Sequence, residues 1–146
     1  MLAAYIVRKL AEAKKLSDDT IAGNVTLTSH AWRGEPVHHL SRLDIDELYD
    51  LENPKRVTLS LLKVCHVLIH SYVFMTGFSE CNEFDGLFFN SDRTRHQTLY
   101  HVSVSELVRV LQEAGKDYPS FSQLTYDEVR QDYRVINKRE PPPDLV

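Results

Sequence analysis

Apolar residues recur at three- and four-residue intervals from Leu2 to Leu16. Leu2, Ile6, Leu10 and Ala13 share one face, and Arg8, Lys9, Glu12, Lys14 and Lys15 fall mostly on the other. This spacing predicts an amphipathic helix. Ser17-Asp18-Asp19 then offers side-chain oxygens that end it or cap a following turn. The β-branched run Val25-Thr26-Leu27-Thr28 reads as a strand, and Trp32-Arg33-Gly34-Glu35-Pro36 as a turn or loop. A short helix is expected after Asp44, with Glu47 three residues on, and Asn53-Pro54 bars its continuation.

The middle of the chain is its most apolar part. Leu61, Leu62, Cys65, Leu68, Ile69 and Tyr72 recur at helical spacing, with Val64 and Val67 on the opposite face. This predicts a helix over Val57 to His70, and a helix apolar on most sides belongs in a core. Three strands are expected next: Tyr72 to Phe78, Phe84 to Ser91 and Gln97 to Val102. Gly86 marks a bulge or a close backbone approach in the second. Strands joined by turns this short form an antiparallel meander. Ser103-Val104-Ser105-Glu106 is a capping box opening a helix whose apolar face is Leu107, Val108, Leu111 and Ala114, and Gly115 sits where a left-handed cap would end it. A further strand is expected around Tyr133 to Ile136. Pro141-Pro142-Pro143 opens a proline-rich tail.

The resulting fold class is α+β: N-terminal and central helices, a small antiparallel β-meander, and a capped helix after it. Residues 1–140 are expected to form one domain and residues 141–146 a disordered tail. A chain of 146 residues is long enough to bury its own core without disulfides or metal. No internal repeat is visible.

Composition narrows the function classes. The net charge of −4 argues against nucleic-acid binding by bulk electrostatics, although it leaves room for one local basic loop on an RNA-directed protein. Two cysteines, Cys65 and Cys81, are too few for a disulfide scaffold and read as free thiols in a reducing compartment. Arg8 and Lys9 interrupt the short apolar N-terminus, so no secretion signal is expected. No apolar run reaches the roughly 18–20 residues of a membrane span. The expected location is the cytoplasm.

Candidate chemistry gathers in two places. His66 and His70 are four apart on the central helix and can face one ligand, and Cys65 adds a soft donor. Cys65, His66 and His70 are therefore the candidate metal ligands, with His96 and His101 as further donors if their strand returns beside the helix. The hydrolytic-zinc pattern, with Glu after the first His, has Val67 instead. The alternative is that one of the two histidines is buried and hydrogen-bonded while the other lies at the surface. The second place is Asp92-Arg93-Thr94-Arg95-His96, a locally basic turn whose arginines can grip phosphate or carboxylate. Exposed turns are commonly polar without any such role. His38-His39 reads as an exposed pair. Phe88 and Phe89 must point to opposite faces of their strand, so one can cover a partner subunit. No Walker loop, dinucleotide fingerprint, nucleophile elbow or triad order is present, and no cofactor is implied.

Arg8-Lys9-Leu10-Ala11-Glu12-Ala13-Lys14-Lys15-Leu16-Ser17-Asp18 resembles the opening helix of HEPN-type domains. Cys65-His66-Val67-Leu68-Ile69-His70 resembles that superfamily's Arg-Asn-x-x-x-His motif, with Cys65 for the arginine and His66 for the asparagine. The resemblance implies a compact, often dimeric helical bundle, RNA cleavage of toxin or defence type, and His70 as the catalytic histidine. A β-meander is not part of that bundle. Arg95 followed by His101 is a second arrangement within that motif's loose spacing, on a predicted strand. Ile69-His70-Ser71-Tyr72-Val73-Phe74 and Asn90-Ser91-Asp92-Arg93 also resemble a group of small bacterial proteins without assigned activity.

With the motif arginine replaced, the expected function is a non-catalytic binding or accessory domain of a bacterial cytoplasm, a divergent HEPN-like one, with a protein partner or a homodimer. Two alternatives stand beside it. One is a metal-independent endoribonuclease, with His70 as general acid or base and Arg93 or Arg95 stabilising the phosphate. The other is a metal site at Cys65, His66 and His70.

Overall fold

The computed structural model describes residues 1–143, and the last three residues of the expected tail, 144–146, lie outside them. Helix α1 spans Leu2–Glu12, shorter than the periodicity predicts. It stops because Lys14 adopts a left-handed φ of 57° and the Lys15 amide reaches back to the Leu10 carbonyl, a Schellman closure. Ser17 then caps the one-turn helix α2, Asp18–Ile21, its hydroxyl accepting from the Thr20 amide. Strand β1 follows at Asn24–Ala31, and α3 is a single turn at Ile45–Leu48.

The central helix departs from expectation at its start. Lys55–Ser60 is a strand, β2, and helix α4 runs only over Leu61–Ile69. Val57 and Leu59 alternate with Thr58 and Ser60, a two-residue period that pairs antiparallel with β1 from Asn24↔Ser60 to Ser29↔Lys55. Ser60 then switches the chain to helix, its hydroxyl accepting from the Lys63 amide. The three strands after α4 form as expected: β3 Ser71–Phe78, β4 Phe84–Ser91 and β5 Thr98–Ser103. Helix α5, Val104–Lys116, begins at Ser103, whose hydroxyl accepts from the Glu106 amide. Gly115 lies inside this helix rather than capping it, and the chain leaves the helix at Asp117 in extended conformation. The expected strand near Tyr133 is β7, Asp132–Lys138, paired with β6, Phe121–Asp127.

The main sheet is antiparallel and ordered β2-β1-β5-β4-β3. The fold class is therefore α+β. Helices α1, α4 and α5 lie on one face of a sheet instead of forming the bundle that the family resemblance implies. On that face α1, α4 and α5 bury Val7, Leu61, Val64, Cys65 and Leu68 against Val25, Leu27, Phe89 and Val102. The opposite face is partly covered by the segment between β1 and β2. There Val37, Leu48 and Tyr49 close over Val73 and Leu99. Asn90 is fully buried on this second face. Its amide accepts from the Val73 amide and donates to the Tyr49 hydroxyl and the Thr98 carbonyl, bridging the irregularity in the β3–β4 ladder.

The β6–β7 ribbon is anchored through its second strand. The Asn137 amide donates to Asp18, and its side chain donates to the Lys14 carbonyl. Asp117 holds the same junction: its carboxylate, wholly enclosed, accepts from the Ser17 amide at 2.6 Å, the Ser17 hydroxyl and Arg139. Burial pushes this acid up, but those hydrogen bonds outweigh it and hold it below its usual range. Asp117→Ala should cost about 2–3 kcal/mol in urea unfolding and speed amide exchange in the ribbon before the main sheet. Equal protection in the ribbon would refute the anchoring role.

Gly86 is a close approach, as expected. A Cβ there would lie 2.1 Å from the Val102 carbonyl oxygen, whereas one at Gly77 meets the Phe88 ring at 3.0 Å. Gly86→Ala should cost about 3 kcal/mol because backbone cannot yield, and Gly77→Ala about 1 kcal/mol because a ring edge can. Urea midpoints of the two variants check the order.

Candidate functional site

Helix α4 and its C-cap present Leu62, His66 and His70 to solvent at four-residue spacing. The chain enters β3 directly after His70, and Ser71 pairs with Ser91 at the end of β4. That register brings the turn after β4 against the C-terminal end of α4. The turn is tight: Thr94 and Arg95 amides donate to the Ser91 carbonyl, and the Thr94 hydroxyl accepts from the Ser91 amide. The result is an open hollow of about 300 Å³ lined by His66, His70, Ser91, Asp92 and Arg93. The two imidazoles lie 4.7 Å apart, centre to centre.

Of the two turn arginines, only Arg93 lines the hollow. Its guanidinium has no ion-pair partner among the described residues. Arg95 turns away, over the Tyr72 ring at 4.3 Å, with its Nε 3.4 Å from Asp92. Its carbonyl accepts from Tyr49, so it serves the buried network. Asp92 is the one carboxylate at the hollow and is engaged by Arg95. His66 is held below its ordinary range, first by partial desolvation and then by the positive neighbours His70, Lys63, Arg8 and Arg93. The same ring borders a second depression of about 420 Å³ with Arg8, Glu12 and Lys14, where Glu12 neutralises Arg8 at 2.9 Å.

Cys65 does not join these groups. It is buried on the inward side of α4, and burial pushes its thiol up to about 11, so the thiolate that binds metal is disfavoured. His96 accepts from the Val37 amide and packs near Trp32. His101 lies on the sheet face away from α4, since Tyr100 and Val102 beside it join the helix-side core. Among the described residues, no three His, Cys, Asp or Glu side chains gather in a group that could hold a metal ion. Ser91 is the hollow residue that residue-by-residue reading passed over as a site, and only its cross-strand partner reveals it. No helix among the described residues is long and apolar enough to cross a membrane.

No family model matches this sequence, and no curated protein or solved structure matches it either.

His101 has a different chemistry. Its ring packs at a tilt against Phe88, centroids 4.6 Å apart, and lies over Gly86 and Gly77. Its Nε2 is buried without a hydrogen bond, and the nearest carboxylate oxygen, on Asp85, is 3.5 Å away and poorly aligned. Burial lowers the pKa of this ring, as it does that of His30. The unfolded chain therefore takes up these protons more readily than the folded one. Stability should be full above the ordinary value of 6.5 and fall as pH drops below it. His101→Phe should flatten the urea midpoint between pH 7 and pH 5 relative to wild type. An unchanged slope would show that His101 does not govern it.

Proposed function

We propose that this chain is a non-catalytic binding domain whose working surface is the hollow at His66, His70 and Arg93. Its ligand is an anionic group, best a phosphate, carried by a partner. The supporting observation is the unpaired Arg93 guanidinium beside two adjacent imidazoles in a hollow open to solvent. A guanidinium and two ring N–H donors suit a phosphate's oxygens. Among the described residues, neither ring has a carboxylate or carbonyl hydrogen-bonded behind it, the arrangement that commonly fixes a catalytic histidine's tautomer. This favours binding over proton transfer.

The exposed face of the β6–β7 ribbon supports a partner as well. Leu124, Tyr126 and Tyr133 are each more than half exposed, and they share one face with Val135 because Leu124 pairs with Val135 and Tyr126 with Tyr133. Amphipathic ribbons of this kind are covered in protein complexes and homodimers. The reading is of an accessory protein of the bacterial cytoplasm, and it does not require HEPN kinship.

The same hollow favours a second reading. If His70 moves a proton while Arg93 steadies a phosphodiester, the domain is a metal-independent endoribonuclease.

Titration with phenyl phosphate, followed by the ring proton signals of His66 and His70, tests the first reading. Saturable shifts of both rings are expected at pH 7.5, where the phosphate monoester is mostly a dianion. Arg93→Ala should weaken binding about tenfold. Absent or Arg93-independent binding would remove the hollow as an anion site. RNA cleavage in excess EDTA, lost in a folded His70→Ala variant, would replace the binding reading with the ribonuclease.

A further inference from the structure

The inward side of α4 borders a different kind of space. Between α1, α4 and α5, over the sheet, lies a cavity of about 160 Å³. Val25 of β1 and Leu87 of β4 supply sheet positions beneath it. It exists because α1 seats on α4 while α5 seats on β1, β4 and β5, and because α1 contributes small side chains there, Ala3 and Ala4.

Protein interiors are packed densely, and voids much larger than a water molecule are few. This one also offers water very little. Its side-chain lining is hydrocarbon apart from the sulfurs of Met1 and Cys65. With its thiol pushed up to about 11 by burial, Cys65 stays neutral. A buried water needs two to four polar partners, whereas a dry aliphatic cavity of about 150 Å³ takes a six-carbon guest such as benzene. The cavity is not sealed: Met1, Ala3 and Leu111, all exposed, stand in its lining and give it a rim at the surface. A free hydrocarbon would fit a closed void, but an open rim suits a chain whose head stays in water.

We propose that this cavity is a binding site for the end of an unbranched hydrocarbon chain, about six carbons deep, with the polar head outside at the Met1–Leu111 rim. The site is separate from the anion hollow. Helix α4 divides them, with Leu61, Val64, Cys65 and Leu68 toward the chain and His66 and His70 away from it.

The test is a methyl NMR titration of the full chain with butyrate, hexanoate and octanoate below their micelle concentrations. Saturable shifts are expected at Leu61, Leu87 and Leu107. Affinity should rise about tenfold from butyrate to hexanoate, from two more buried methylenes, and only about fourfold from hexanoate to octanoate, which buries one more chain carbon and leaves its next one outside. Ala3→Phe should obstruct the mouth of the cavity and weaken hexanoate at least tenfold while leaving the phenyl phosphate response at His66 intact. Leu111→Trp, at an exposed rim position, serves as a second plug should the first variant fail to fold. Absent saturable shifts in wild type, equal affinity for butyrate and hexanoate, benzene binding without chain binding, or undiminished binding in a folded plug variant would each overturn the proposal.

Discussion

The antiparallel pairing of β1 with β5 joins everything else. Among the described residues, Thr28↔His101 through Ala31↔Thr98 is the only ladder that connects the β1–β2 pair to the β3–β4–β5 meander. It closes a loop of some seventy residues, so its entropy cost is met only when both sheet faces are filled together. The ladder is short, and β1 runs past the end of β5. Thr26 is left with an amide that has no strand partner on that side, and the Glu106 carboxylate accepts it at 2.8 Å. Arg109 then grips Glu106 and the Asn24 carbonyl together. The residue expected to complete a capping box thus ties α5 to the weak end of the central pairing.

That arrangement gives α4 its two roles. The helix lies over the sheet between α1 and the meander, and its inward and outward sides meet different media. Inward, Leu61, Val64 and Leu68 face aliphatic neighbours, and Cys65 is held as a neutral thiol. Outward, His66 and His70 face solvent and the β4–β5 turn. The adjacent residues Cys65 and His66 therefore belong to separate environments, although they are neighbours in sequence. A metal site built on both would need one of them to cross the helix.

The polar elements of the second sheet face follow a similar logic. Asn90 and Tyr49 are buried together and satisfy each other's hydrogen bonds, along with the Val73 amide and the Arg95 carbonyl. This network holds the turn that presents Arg93. His101, by contrast, is buried with its Nε2 unsatisfied over two glycines. The face away from α1, α4 and α5 thus carries both a completed polar network and an incomplete one.

Local signals in the chain were sufficient for much of this. Ser103 capping α5, the three meander strands, the apolar α4 and the close approach at Gly86 all follow from period, capping and side-chain size, which act within a few residues. Elsewhere local chemistry was ambiguous. Val57 and Leu59 fit either period until β1 pairs with them, and Gly115 fits a cap or a helix interior equally well. Strand β6 has polar alternation too weak to read before β7 pairs with it. Which arginine meets His70, that Ser91 stands beside them, and that Cys65 faces away were settled by the Ser71↔Ser91 register and by the burial of one side of α4. Such neighbours come from pairings between distant segments, and no spacing along the chain encodes them.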